Sequence, residues 1–279
     1  MISFDFEYKK PQTWKDAINE YMKQREAGKN SMYFAGGTEF ISRARMNEVQ
    51  PDVIIDINSI PECRTLTQTS STIIIGAAVT LTDIIEANLF PLLSEVARNI
   101  ATKTARNKIT LGGNIMSNLP YKEALLPLLV ASSNVTIATK NGLENRCISE
   151  VFSESNHLKD EQFIVQINTD VAIAKQPFYK EKRTKQSSVN YPILTSSALF
   201  VDGEARVAFS GLCDFPFRLK TIDNIISDRT TSEDMRVQNI LNSIPAPILD
   251  DMNASERYRS FVFKQMLMKI MSRMGELAK

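Results

Sequence analysis

The chain has 279 residues, 43% of them apolar, and 33 basic against 32 acidic side chains leave a net charge of +1. That length supports one large or two medium domains with full cores, and the near-zero charge offers no attraction to nucleic acid or an anionic membrane. Three widely spaced cysteines, Cys63, Cys147 and Cys213, argue against a disulfide framework and an iron–sulfur cluster and fit a reducing cytoplasm; no apolar run of about 18 residues suggests a membrane span, and the acidic, aromatic start is unlike a signal peptide.

In chain order, residues 13–28 read as a helix. Thr13 is its N-cap, Trp14, Ala17, Ile18, Tyr21 and Met22 follow helical spacing, and Gly28 stops it. Met32–Ala35, Val53–Ile57 and Thr72–Ala78 read as strands. Thr80 caps a helix to about Leu89, Pro91 opens another to about Ala101, and Glu123–Ser133 forms a third. Asn134–Lys140 is a strand ending in the Asn141-Gly142 turn. The only histidine, His157, lies in the polar run Ser153–Asp160 and reads as an exposed loop residue, so neither a Ser-His-Asp triad nor a histidine-rich metal site has a candidate. The strand Gln162–Asn168 precedes a boundary near 170–176. Beyond it come an edge strand, Phe178–Arg183, and a hairpin of Pro192–Val201 and Ala205–Leu212 about Asp202-Gly203. Two or three helices follow, over Thr221–Ser227, Ser232–Asn242 and Ser255–Leu277, the last with Phe261, Val262, Gln265, Met266, Ile270 and Met274 on one face.

Two glycine pairs carry the chemistry: Ala35-Gly36-Gly37-Thr38-Glu39 and Thr110-Leu111-Gly112-Gly113-Asn114, 76 positions apart. Glycine lets backbone approach a ligand closely and turn its N–H groups toward an anion. A single pair is usually a plain turn. Two pairs can hold two parts of one pyrophosphate-bearing ligand.

The flanks of these pairs carry a resemblance. Phe34–Glu39, Val53–Ile57 leading to Ile60-Pro61-Glu62, Ile75–Leu81, Phe90–Leu93, Ala105–Asn107, Thr110–Ile115 and Asn118-Leu119-Pro120 follow in order, and Ser255–Arg259 opens the last helix. The series is similar to the FAD-binding medium subunit of the molybdenum hydroxylases, the family of xanthine dehydrogenase and carbon monoxide dehydrogenase. The resemblance implies an α+β fold: a two-subdomain FAD-binding domain of the vanillyl-alcohol-oxidase type over 1–170 (subdomains about 1–57 and 58–170), then a smaller C-terminal α+β domain over 171–279 with an antiparallel sheet and helices. Carried over by position, it places cofactor contacts on Tyr33, Phe34, Ala35, Gly36, Gly37, Thr38, Glu39 and Phe40, on Thr110, Leu111, Gly112, Gly113 and Asn114, and on Glu123, Ile164 and Lys180. Gly36, Gly37 and Thr38 would meet the pyrophosphate, and the Asn114 amide would donate to phosphate or ribityl oxygen. Glu123 stands where the family usually has aspartate. No residue is expected to be catalytic or to bind metal.

The implied activity is electron transfer within a heteromer. Molybdopterin and substrate would sit on a large subunit and two 2Fe-2S clusters on a small one, while this chain passes electrons to non-covalent FAD and on to NAD+ or another acceptor. The similarity of Gly37-Thr38-Glu39 to an Asn-Thr-Glu loop of xanthine dehydrogenases makes xanthine or a related purine the first substrate expected. Carbon monoxide, nicotinate and aromatic substrates stay open. So do a stand-alone FAD oxidoreductase of the same superfamily and a non-enzymatic assembly role. Neither nucleic acid nor membrane is an expected partner, and the expected location is cytoplasmic.

Overall fold

The computed structural model describes residues 2–152, 158–185 and 191–277, and its strands form three sheets. The expectation for His157 lies outside the described residues. β1 (Glu7–Lys9), β2 (Ser31–Phe34) and β3 (Val53–Asp56) build a parallel sheet in the order β1-β3-β2. Parallel strands need crossover connections: the helix Trp14–Glu26 carries the chain from β1 to β2, and the helix Thr38–Arg45 carries it from β2 to β3 between them. Thr13 Oγ1 accepts from the Asp16 N–H at 3.1 Å to start this helix, and Gly28, at φ +73°, releases the chain into β2.

β4 (Leu66–Gln68), β5 (Thr72–Gly76), β6 (Asn134–Thr139), β7 (Gly142–Cys147) and β8 (Phe163–Asp170) form an antiparallel sheet ordered β4-β5-β8-β6-β7. The last strand made is therefore the central one. Short helices fill the segment between β5 and β6. Thr80 and Asp83 close a capping box at the head of Leu81–Ala87, and Pro91 opens Pro91–Ala97. Both are shorter than their sequence spacing suggests: Asn88 turns left-handed at φ +47° and Ala101 at φ +49°. The expected helix Glu123–Ser133 is only Leu125–Val130, and Ser132 is left-handed at φ +51° just beyond it.

β9 (Phe178–Thr184), β10 (Pro192–Val201) and β11 (Glu204–Ser210) form a second antiparallel sheet, ordered β11-β10-β9 with β9 at an edge. Asp202 (φ +52°) and Gly203 (φ +82°) make the tight turn between β10 and β11, two consecutive left-handed residues whose twist suits a hairpin. The helices Lys220–Ser227, Glu233–Leu241 and Glu256–Leu277 cover one face. The last buries Val262, Phe263, Met266, Leu267, Ile270, Met271 and Met274, whereas Phe261, expected on that face, is 58% exposed because its neighbour Val262 takes the inward position. Fully buried Arg259 donates through Nη1 to the Ile193 and Gly211 carbonyls and through Nη2 to both oxygens of Asp251, at 2.8 and 2.9 Å. Alternate residues of this sheet serve two cores. Ala198, Phe200 and Phe209 pack under the last helix, while Leu199, Val201 and Ala208 join the core of the first two sheets. Among the described residues no helix is long and apolar enough to cross a membrane.

Candidate functional site

The first glycine pair leaves the end of β2. Gly37, left-handed at φ +71°, is the N-cap of the helix Thr38–Arg45 and makes no side-chain cap bond. A Cβ there would stand 2.3 Å from the Phe34 ring, so both conformation and space require glycine. A Cβ on Gly36 would fall 2.0 Å from the Lys108 carbonyl oxygen and 3.2 Å from the Thr110 nitrogen, which shows how tightly the first loop presses on the approach to the second. No acceptor among the described residues meets the Gly36 or Gly37 N–H. These two donors and the first turn of the helix form an uncommitted amide cluster.

The side chains around it hold the loop. Tyr33 stacks on Tyr21 at 5.2 Å, tilts against Phe163 at 4.7 Å and donates its hydroxyl to the Glu161 carbonyl at 2.9 Å; burial pushes its pKa upward. Phe34 and Phe40 meet edge to face at 6.1 Å. Glu39 accepts from the Ser117 hydroxyl at 2.6 Å and the Asn118 N–H at 3.2 Å, tying this helix to the segment after the second loop. The Ala35 carbonyl accepts from Asn58 Nδ2 at 2.9 Å.

The second pair has a different character. Thr110 is the buried N-cap of the short helix Leu111–Ile115. Leu111 and Gly112 donate to the Val79 and Ala77 carbonyls at 2.9 and 2.8 Å, Gly113 to Thr110 Oγ1 at 3.1 Å, and Asn114 to the Thr110 carbonyl at 2.9 Å. Every N–H from Leu111 to Asn114 is thus satisfied internally. A Cβ on Gly112 would reach 2.7 Å from that of Ala77, so this glycine permits close packing rather than an anion contact. Asn114 Oδ1 accepts from the Ala124 N–H at 3.0 Å, which points the side-chain NH2 the other way with no acceptor among the described residues.

That bond leads to Glu123, 5% exposed, which receives Lys182 Nζ on one oxygen and Thr195 Oγ1 on the other, both at 2.9 Å. Burial raises its pKa, against the pull of Lys182. Lys182 also donates to the Asn99 carbonyl at 2.7 Å. Lys180, two residues earlier on β9, turns instead to Glu95, donating to its carbonyl at 3.3 Å. Of the two lysines it is Lys182 that meets a predicted site residue, Glu123. Ile164 is buried in β8 opposite Ile137, beside the irregularity that lets the Val165 carbonyl accept from the Ala77 N–H at 2.9 Å. Sequence reasoning missed Asn58 and Asp56 beneath the first loop, although Asp56 lies within the quoted Val53–Ile57 motif.

Unpaired amides at a helix start, glycine where a side chain would block approach and an amide NH2 on the neighbouring loop suit a diphosphate. Fold and loops together have the form of a dinucleotide-holding domain. A family model described as the FAD binding domain in molybdopterin dehydrogenase matches residues 4–169. The glyceraldehyde dehydrogenase medium chain of Sulfolobus acidocaldarius is 24% identical over 269 residues, covering 91% of this chain and 94% of that one. The carbon monoxide dehydrogenase medium chain of Hydrogenophaga pseudoflava is 30% identical over 146 residues, 51% of this chain and 50% of its own. The solved structure of quinoline 2-oxidoreductase from Pseudomonas putida 86 has the same fold, with a TM-score of 0.85 at 16% identity over 100% of this chain and 99% of that chain. The chain belongs to the FAD-binding medium subunits of the molybdenum hydroxylase family, and FAD is its cofactor.

Proposed function

We propose that this chain is the electron-relay subunit of a heteromeric hydroxylase. It takes electrons from 2Fe-2S clusters on a small partner and delivers them to NAD+ or another acceptor, while a large molybdopterin-bearing partner oxidises the substrate. The observation that carries this reading is the uncommitted amide cluster of Gly36 and Gly37 at the start of the helix Thr38–Arg45. Bound FAD supplies the two-electron chemistry, and the protein holds and tunes it. Gly36, Gly37 and Thr38 hold the diphosphate, the Asn114 NH2 donates beside them, and Lys182 sets a positive charge at the base of the site, fixed by Glu123 and the Asn99 carbonyl. Attachment is non-covalent. The Cys63 thiol is fully buried with its pKa pushed up to about 12, and buried Cys213, raised to about 11, is bonded to the Ala246 carbonyl. Xanthine or a related purine is the first substrate to assay, on the likeness of Gly37-Thr38-Glu39 to the xanthine dehydrogenase loop, with carbon monoxide, nicotinate and aromatic compounds as alternatives. The direct test is the visible spectrum of the purified chain: flavin bands that pass wholly into the supernatant on acid precipitation are expected. A colourless protein that does not take up FAD would end this reading.

A further inference from the structure

The polar group beneath the first loop has no part in the reading above. Asp56, 4% exposed at the end of β3, accepts on one oxygen from the Asn58 N–H at 2.8 Å and from Asn58 Nδ2 at 2.6 Å. Its other oxygen accepts the Tyr8 hydroxyl from β1. So held, Asn58 has its side-chain NH2 aimed at the Ala35 carbonyl, 2.9 Å away.

In a trans peptide the C=O and the next N–H point in opposite directions. No cis peptide bond occurs among the described residues. Holding the Ala35 carbonyl therefore directs the Gly36 N–H away from Asn58, and this N–H has no acceptor among the described residues. Glycine imposes little torsional preference of its own, so the peptide plane ahead of Gly36 needs an external hold. Lys108 and Thr110 limit the loop from the other side, where a Gly36 Cβ would lie 2.0 and 3.2 Å from their backbone atoms.

We propose that Asn58 is a positioning residue for the anion-binding amide of Gly36, and that Asp56, itself held by Tyr8, orients Asn58. The inference rests on the assignment of the first loop to the FAD diphosphate. Asn58 does not touch the ligand; it presets the donor, so the loop meets the anion without reorganising.

Calorimetric titration of flavin-free protein with FAD and with ADP tests it, since both ligands carry the diphosphate and only one carries the isoalloxazine. In Asn58→Ala both affinities should fall by the same factor, about tenfold for one misdirected donor to an anion. The visible spectrum of FAD at saturation should stay unchanged. Asn58→Asp, which keeps the shape and loses the NH2 donor, should weaken both ligands at least as much. Unchanged affinities in either folded variant would overturn the proposal, as would a loss for FAD without a loss for ADP. A wild-type protein that binds neither ligand would instead refute the assignment of the loop, and this inference with it.

Discussion

Gly37 and Gly113 look alike in sequence and differ in what a side chain would meet. At Gly37 a methyl group enters the Phe34 ring and the backbone is left-handed, so Gly37→Ala should cost about 1–2 kcal/mol of stability as well as flavin. Gly113 is exposed, and a Cβ there meets only Thr110 Oγ1, at 2.9 Å. Gly113→Val should therefore leave the circular dichroism spectrum intact while flavin content falls; normal flavin occupancy would remove the second loop from the site. Glu123 gives a pH signature. Its folded pKa is raised by burial, so its contribution to stability is fully present below the ordinary carboxylate value and is lost as pH rises through the raised one. Urea unfolding of wild type and Glu123→Gln across that window should show the wild type losing ground to the variant as pH increases; a constant difference would contradict the assigned shift.

At the scale of elements, the helix Leu125–Val130 is held at both ends, by residues of the C-terminal sheet and of the connection that follows it. Glu123 precedes it and is bound by Lys182 and Thr195; Arg218 reaches the Leu129 carbonyl at 2.8 Å and Ser132 Oγ at 2.9 Å beyond it. Arg218 also pairs at 2.9 Å with Asp223, whose carboxylate is buried and whose pKa burial raises. Arg218→Met strands that carboxylate and should cost about 3 kcal/mol in denaturant unfolding. Signals confined to a few residues were legible in the sequence: the Thr13 and Thr80 caps, the Asp202-Gly203 turn, and glycine where Gly37 needs it. The strands β1, β4 and β7 were not, because they are short or largely polar edge strands with no buried alternation to betray them. Nor were the contacts of Asn58 and Lys182, whose partners Ala35 and Glu123 lie 23 and 59 positions away. Lys180 and Lys182 are chemically interchangeable in the sequence, and only the packing of β9 against Asn99 and Glu123 separates them.

For the whole molecule, dithionite should bleach the flavin of the isolated chain directly, whereas reduction by a hydroxylase substrate should require the partner subunits. Turnover of a purine by this polypeptide alone, free of molybdenum and iron, would contradict the relay model. The sheet order also says when a site can exist during synthesis. Both glycine pairs have been made by residue 114, yet Gly112 rests on Ala77, whose N–H is held by the carbonyl of Val165 in the central strand β8. The ribosome must therefore add some fifty more residues before that seat is built, and closing the long loop from β5 to β8 adds an entropic delay. A nascent chain released after the β6–β7 hairpin would carry the whole glycine signature and bind no flavin, while one extended through β8 would begin to.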